Sequence, residues 1–87
     1  MARKPLVRGD LLKIHWVDIY EDPTGNPDAA RPSERASFGL FWAQEIRGPV
    51  ECVVTTTTLD KDGPAQSGYC IYPLGTILKI EVVKRAK

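Results

Sequence analysis

Apolar and polar residues alternate over short stretches of this chain, and the alternation predicts five β-strands. In the last stretch, Ile77–Val83, the apolar residues Leu78, Ile80 and Val82 alternate with charged residues. A period of two is typical of a strand that is buried on one side only. Residues that favour turns, mainly glycine, proline and aspartate, separate the stretches. The four earlier strands are predicted at Asp10–Ile19, Ser37–Glu45, Val50–Thr58 and Gly68–Tyr72.

The alternation also assigns each strand residue to a side. Trp16 falls on the apolar side of the first strand, so it is predicted to face the core and His15 to point outward. Phe41 falls on the side that we interpret as outward, where an aromatic is covered by a loop, covered by a partner or used for stacking. The third strand ends in four threonines, Thr55 to Thr58, whose alternate hydroxyls are expected to form a polar row on its outer face.

The segments between the strands predict the connections. Tyr20–Ala36 has no period and is interpreted as a long first loop, in which Ser33–Arg35 could form one helical turn. Arg47–Pro49 is a short turn, Leu59–Pro64 is the tip of a hairpin, and Pro73–Gly75 is a helical corner. This order predicts an all-β fold, a small five-stranded SH3-like barrel with a long first loop and a helical turn before the last strand. The alternative is a five-stranded OB-fold, which usually has a helix where this chain has only the hairpin.

Charge is distributed unevenly, although the net charge of the 87 residues is only +1. We predict a single domain at 10–84, preceded by a basic arm at 1–9 and followed by a basic tail at 85–87. The termini of a small barrel usually emerge close together, so the two basic ends are predicted to merge into one positive patch. Charged ends that only keep the protein soluble are the alternative. The basic residues at the ends include Arg3, Lys4, Arg8, Lys84 and Arg85.

Residue types that support catalysis or metal binding are sparse. His15 is the only histidine, and Cys52 and Cys70 are the only cysteines, at a separation that matches no zinc motif. If their strands pair around the hairpin, the two cysteines fall almost opposite each other. They are then either small buried hydrophobes or neighbours that oxidation could link. The sequence holds no recognisable nucleophile with its base and no glycine-rich phosphate loop. It therefore predicts a protein that is not an enzyme and has no cofactor and no metal site.

Four short motifs are spaced along most of residues 12–83. They are Ile14-x-Trp16-x-Asp18, then Phe38-Gly39-x-Phe41, then Val53-Val54-x-Thr56, and last Ile71-x-Pro73-x-Gly75-x-Ile77. With these motifs the chain resembles small uncharacterised barrel-like proteins that phages and other mobile elements encode. The resemblance implies a phage or bacterial setting, and it implies no activity and no functional residue. Since no apolar run approaches the ~20 residues of a membrane helix, we expect a protein of the bacterial host cytosol with no membrane contact.

The predicted function is that of a non-catalytic binding module for a protein or peptide of host or phage. In SH3-like barrels, ligands usually meet the surface formed by the long first loop and the helical corner. The aromatic and proline residues of that surface are Tyr20, Phe41, Tyr72 and Pro73. Its acidic rim consists of Glu21 and Asp22. Aromatic anchors with an acidic rim suit a basic or proline-containing partner.

Two other functions stay open at this point. A nucleic acid could bind the merged basic ends, with Tyr69 or Tyr72 stacking on its bases. The residues of that site would be Arg3, Lys4, Arg8, Lys84 and Arg85. The second alternative is the sequestering of a small signalling ligand, for instance in a pocket between the protomers of a homo-oligomer. The sequence does not predict the oligomeric state.

Overall fold

The computed structural model of this chain describes residues 5–19, 25–29, 31–57 and 68–86. The strands are β1 (Leu11–Asp18), β2 (Ser33–Arg47), β3 (Val50–Thr56), β4 (Tyr69–Pro73) and β5 (Ile77–Lys84). There are also two single turns of 3₁₀ helix, Pro27–Ala29 and Leu74–Thr76, and the second of these is the corner turn between β4 and β5. Neither of these described turns has the length and apolarity that a membrane-crossing helix needs.

All neighbouring strands pair antiparallel in one sheet, in the order β4-β3-β2-β1-β5. The prediction of an all-β protein with five strands is confirmed, and so is the helical turn before the last strand. β4 and β5 form the two edges of the sheet, and no strand pairing joins them within the described residues. The sheet is therefore not closed, and the predicted barrel is not confirmed.

Side chains on one face of the sheet, the inner face, form the core. Leu12 and Ile14 of β1 and Val53 of β3 are fully buried, and Phe41 and Tyr72 are 8% and 5% exposed. Burial of each such side chain contributes roughly 1.5–3 kcal/mol, so these residues determine which face of each strand turns inward. Partly buried side chains that extend the cluster are Leu6, Trp16, Ile77, Ile80 and Val82.

Phe41 lies on the inner face, so the prediction that it points outward is wrong. Gly39 pairs with Leu12 across β2 and β1. Directly paired residues share a face, and so do residues two apart on one strand. Phe41 therefore shares the face of Leu12, whereas Phe38 lies on the outer face and is 64% exposed. Alternation could not decide between the two sides because both sides of this stretch are apolar.

A bulge at Trp42 divides the 15-residue strand β2 into two parts. Phe41 pairs with Thr55, and the next paired residue of β2 is Ala43, so Trp42 has no partner in the ladder to β3. Before the bulge, residues 33–40 pair with β1, and the residues after the bulge pair only with β3. The strand then turns back at Gly48, whose φ of 59° suits the first loop position of a type II′ hairpin. The predicted turn at this place is confirmed.

A second bulge changes which residues of β5 face the core. Ile77 and Lys79 each pair with a residue of β1, and Leu78 between them has no partner. Leu78 is 56% exposed, while Ile77 packs on the core. The prediction that Leu78 lies on the inner side is therefore wrong, and the predicted inward positions of Ile80 and Val82 are confirmed.

The first loop is shorter than predicted because β2 begins at Ser33 and not at Ser37. Ser33–Arg35 pairs with the end of β1, where Ser33 lies opposite Asp18. The helical turn predicted for these residues is therefore wrong, and a 3₁₀ turn lies earlier, at Pro27–Ala29. Strand pairing with β1 outweighs the weak local pattern of this segment.

The pairing of β3 with β4 corrects two further predictions. Cys52 lies opposite Pro73, and Cys70 lies opposite Thr55, so the two cysteines are not opposite each other. This offset of three residues places the thiols on opposite faces of the sheet, and Cys52 is buried while Cys70 is exposed. Thr55 and Thr56 are both buried, so they do not contribute to the polar outer row that four threonines predicted, and Thr58 lies outside the described residues.

Candidate binding site

A pocket of about 380 Å³ opens where β1 ends and the corner turn begins. This volume falls within the range of small-ligand sites, roughly 300–1,000 Å³. Most of the lining side chains are apolar or weakly polar: Trp16, Ile19, Cys70, Ile71, Tyr72 and Pro73. Asp18, Ser37 and Thr76 add side-chain oxygen atoms. Apolar walls with a few polar groups are typical of binding pockets.

Two aromatic rings in the pocket wall hold each other in place. The rings of Trp16 and Tyr72 meet edge to face, with centroids 5.9 Å apart and an interplanar angle of 68°. The indole Nε1 of Trp16 donates a hydrogen bond of 3.0 Å to Oγ of Ser37. Because the indole N–H already has a partner within the protein, Trp16 offers a ligand its ring and not a hydrogen-bond donor.

The corner turn gives the pocket a fixed wall. Oγ1 of Thr76 donates a hydrogen bond of 2.8 Å to the carbonyl oxygen of Pro73. The backbone N–H of Ile77 donates to the carbonyl oxygen of Leu74, which closes the turn. The pyrrolidine ring restricts φ of Pro73, which is −57°. Pro73 is therefore held in place by the chain on both sides of it.

The hydroxyl of Tyr72 lies among the side chains of Ser37, Cys70 and Thr55. Burial raises the pKa of Tyr72 above its ordinary value of 10.0, so the phenol is neutral at physiological pH. The thiol of Cys70 is exposed in the same pocket, whereas Cys52 is buried on the opposite face of the sheet. The two cysteines therefore differ in access to solvent, and a thiol reagent should modify Cys70 selectively.

Asp18 is the charged side chain of the pocket wall. Its Oδ1 accepts a hydrogen bond of 2.9 Å from the backbone N–H of Ile19, which orients the carboxylate. In the part of the chain that the structure describes, no cation pairs with it. Arg35, the cross-strand partner of Trp16, is exposed and does not line the pocket. The pocket thus presents a carboxylate that no described cation pairs with, beside two aromatic rings.

The structure brings together two of the four residues that the sequence predicted for protein binding. Tyr72 and Pro73 line the pocket. Phe41 is buried in the core instead, and Tyr20 lies outside the described residues, as does the acidic rim predicted after it. Sequence reasoning missed Trp16 as a site residue because alternation marks it as core, and it both packs on the core and lines the pocket. Its position near the end of β1, beside the corner turn, is the signal that could have found it.

At the other end of β1, a buried carboxylate joins the two ends of the described chain. Oδ2 of Asp10 accepts hydrogen bonds from the backbone N–H of Val7 (2.9 Å) and from Nη1 of Arg85 (2.8 Å), and Oδ1 accepts one from the N–H of Ala86 (2.7 Å). Nη1 of Arg85 also donates to the carbonyl oxygen of Pro5 at 3.0 Å. These five residues are the terminal cluster. The hydrogen bonds from Ala86 and Val7, together with the charge of Arg85, lower the pKa of Asp10. The described parts of the two ends therefore lie side by side, as predicted. The merging of the basic ends into one positive patch stays a prediction, because several of their basic residues lie outside the described residues.

The basic residues predicted for nucleic-acid binding make separate contacts. Arg85 belongs to the terminal cluster. The guanidinium of Arg8 lies 3.5 Å from the ring centre of Trp42, and its Nε donates a hydrogen bond of 3.0 Å to the carbonyl oxygen of Trp42. Lys84 is exposed at the end of β5. The predicted residues outside the described part of the chain are Arg3 and Lys4.

His15 lies on the outer face of β1, as predicted, in a row of ion pairs. Its Nε2 is 2.9 Å from Oε2 of Glu81, and Oε1 of Glu81 is 3.2 Å from Nζ of Lys79. The hydrogen bonds from His15 and Lys79 hold the pKa of Glu81 below its usual range. Among the described residues, no three His, Cys, Asp or Glu side chains form a group that could hold a metal ion.

Comparisons of the chain with protein-family models, with curated proteins and with solved structures find no match. The resemblance to phage and mobile-element proteins therefore stays a prediction. The cytosolic location and the division into arm, domain and tail also stay predictions. Any function must be inferred from the geometry of the pocket and of the terminal cluster.

Proposed function

We propose that this chain is a non-catalytic binding module that binds an extended segment of a partner protein in the pocket. The observation that carries the proposal is the pocket itself. It encloses about 380 Å³ between mostly apolar walls and lies between two aromatic rings and the corner turn. Aromatic side chains in such a place supply much of the binding energy at protein interfaces.

The position of the pocket beside an edge strand favours an extended peptide as the ligand. Four of the five residues of β4 line the pocket, namely Cys70, Ile71, Tyr72 and Pro73. Among the described strands, β4 pairs only with β3 and forms an edge of the sheet. A ligand in the pocket therefore lies beside backbone groups that can pair with a further strand, while its side chains enter the pocket.

The walls of the pocket are fixed before any ligand arrives. Trp16 is held by its hydrogen bond to Ser37, and the corner turn is held by the hydrogen bond from Thr76 to Pro73. Side chains that are already ordered lose little conformational entropy on binding. This favours recognition of a partner by a preformed surface.

The chemistry of the pocket favours binding over catalysis. Its hydroxyl and thiol groups include those of Tyr72 and Cys70. Burial raises the pKa of Tyr72, which is opposite to the change that activates a hydroxyl as a nucleophile. His15, the only histidine, lies on the outer face of β1, on the other side of the sheet from Tyr72. It is therefore not placed to act as a base for either group.

We also propose that the five strands curve into an SH3-like barrel. The strand order, with β1 between β2 and β5, and the corner turn before β5 support this proposal. The bulge at Trp42 supports it as well, because a bulge bends a strand and lets its two halves belong to different layers. Interstrand nuclear Overhauser effects test the proposal, since a β2 that is flat at Trp42 would contradict it.

Cys70 provides a direct test of the binding site. Peptides are selected from a random displayed library, and their Kd is measured before and after treatment of the protein with N-ethylmaleimide. The adduct on Cys70 occupies the pocket, so we expect the selected peptides to bind at least about tenfold more weakly. Cys52 is buried and should not react in the folded protein.

The Cys70→Ser variant is the matched control for the reagent. After the same treatment it should bind the selected peptides as the untreated protein does. Thermal denaturation of the adduct shows whether the protein is still folded. The proposal is contradicted if the folded adduct binds with unchanged Kd and the peptides perturb NMR resonances away from Trp16 and Tyr72.

A further inference from the structure

We infer that the pocket recognises a lysine or arginine side chain of the extended partner segment, and that Asp18 binds its cationic head group. This inference rests on the proposed function, because it names the side chain that the proposed pocket accepts. The pocket combines one carboxylate, which has no ion-pair partner among the described residues, with two aromatic rings in the same wall. Each of these features favours a cation with an apolar stem.

The carboxylate of Asp18 is oriented and available. One oxygen atom, Oδ1, accepts the N–H of Ile19, and within the described residues Oδ2 has no hydrogen-bond or ion-pair partner. Asp18 is half-buried at the wall of a mostly apolar pocket. A ligand that covers the carboxylate without pairing with it would cost the free energy of desolvating a charge, with no new hydrogen bond to compensate. A cation instead forms a charge-assisted hydrogen bond with it.

The aromatic walls suit the rest of a basic side chain. Lysine and arginine lay their aliphatic stems along apolar surface and keep the charged head in a polar environment. The ring faces of Trp and Tyr also attract cations. Trp16 and Tyr72 provide such rings beside Asp18. A proline or leucine side chain would satisfy the rings and leave Asp18 unpaired, and an acidic side chain would be repelled by Asp18.

One like charge opposes the proposed ligand. Arg35 lies opposite Trp16 in the strand register, and none of the described acidic residues pairs with it. Its guanidinium should weaken the binding of a cation in the pocket through unfavourable Coulomb energy. The Arg35→Ala variant is therefore expected to bind a basic ligand slightly more tightly than the wild-type protein does.

The probes are five acetylated and amidated pentapeptides, Gly-Gly-X-Gly-Gly, in which X is arginine, lysine, norleucine, proline or glutamate. Norleucine reproduces the lysine stem without its charge. Binding is followed from the NMR resonances of Trp16, Cys70 and Tyr72. We expect the arginine and lysine peptides to bind about tenfold more tightly than the norleucine peptide, and the glutamate peptide to bind most weakly.

Two variants separate the charge from the shape of the pocket. Asp18→Asn can still accept the N–H of Ile19, so it should remain folded, and we expect it to bind the lysine and norleucine peptides equally. Glu45→Gln removes a carboxylate outside the pocket and should leave the preference for lysine unchanged.

Equal binding of the lysine and norleucine peptides by the wild-type protein, or tighter binding of the proline peptide, would overturn the inference and leave the pocket as the binding site. Both proposals fail if no pentapeptide perturbs the pocket and selected peptides still bind the Cys70 adduct.

Discussion

The two ends of β1 show the same residue type in two opposite situations. At the start of the strand, Asp10 is fully buried, and both of its carboxylate oxygen atoms accept hydrogen bonds. At the end of the strand, Asp18 is half-buried and accepts one bond, from its neighbour Ile19. Within the described residues, both carboxylate oxygen atoms of Asp10 have partners, whereas Oδ2 of Asp18 has none.

This difference separates a structural end of the sheet from a binding end. A buried polar group is normally paired within the protein, because an unpaired one costs free energy. The carboxylate of Asp10 meets this rule through the terminal cluster. Asp18 is half-buried beside aromatic rings, where a ligand can supply the ion-pair partner that the described residues do not. Stability should therefore depend on Asp10, and binding should depend on Asp18.

The largest expected effect is the loss of stability in the Asp10→Ala variant. Removing this buried side chain leaves three part-buried hydrogen bonds unmade, those donated by the N–H groups of Val7 and Ala86 and by the guanidinium of Arg85. We expect Tm, measured by thermal denaturation, to fall by several degrees. Asp18→Ala is the matched control and should change Tm little. Equal changes in the two variants would remove the distinction between the two ends.

The contribution of Asp10 should also depend on pH. Its pKa in the folded protein is lowered from the ordinary value of 3.8. A lowered pKa adds stability above the pKa of the unfolded chain, and this stability is lost as the pH falls through the pKa of the folded state. The difference in Tm between the wild-type protein and Asp10→Asn should therefore be constant near neutrality and shrink below about pH 4. A difference that grows as the pH falls would contradict the assignment.

The next effect, in the middle of the sheet, is expected from Gly39→Ala. A Cβ atom at Gly39 would lie 2.6 Å from Oγ1 and 2.8 Å from Cβ of Thr55, whose position is fixed by strand pairing. Such overpacking costs about 1–3 kcal/mol of the free energy of unfolding, measured with urea. Gly75→Ala, in the corner turn, is the control, because no atom lies within 4 Å of its added Cβ. A loss in Gly75→Ala as large as that in Gly39→Ala would show that the corner is as tightly packed as the sheet.

The smallest effect is expected from Arg8→Ala near the terminal cluster. The variant loses the stacking of the guanidinium on Trp42 and a hydrogen bond to its carbonyl oxygen, both at an exposed position. We expect the free energy of unfolding to fall by about 0.5–1 kcal/mol in urea denaturation. Lys13→Ala is the comparison, since Nζ of Lys13 lies farther from its ring, 5.7 Å from the centre of Phe38. A larger loss in Lys13→Ala would contradict the role given to Arg8.

The parts of the fold that the sequence predicted well are those with a local cause. Ile80 and Val82 follow a clear period of two, and the hairpin turn at Gly48 needs a residue that accepts positive φ. The side of Phe41 in β2 was predicted wrongly because both sides of that stretch are apolar, so alternation could not choose between them. Leu78 was predicted wrongly because a bulge in β5 adds one residue without any signal in the pattern. The early start of β2 at Ser33 also leaves no signal in the local pattern, because it is caused by pairing with β1.

Two of the four residues predicted for protein binding line the candidate pocket, and here too the residues with a local sequence signal were the ones found. Tyr72 and Pro73 were found because the corner before the last strand is visible in the sequence. Asp10 and Arg85 were not paired in the prediction, because contacts between the two ends of a chain leave no local pattern. Trp16 was assigned to the core alone, since alternation cannot show that a side chain also reaches a pocket.

The terminal cluster has a practical consequence for attaching this protein to a surface. Pro5 and Arg85 are joined by a hydrogen bond of 3.0 Å, so the described part of the chain begins and ends at neighbouring points, from which a tether on either side would start. The pocket lies at the far end of β1, whose eight residues span roughly 25 Å. Immobilisation through either end should therefore hold the molecule in the same orientation, with the pocket turned toward the solution. Sensors or display scaffolds made from it could be anchored at either end.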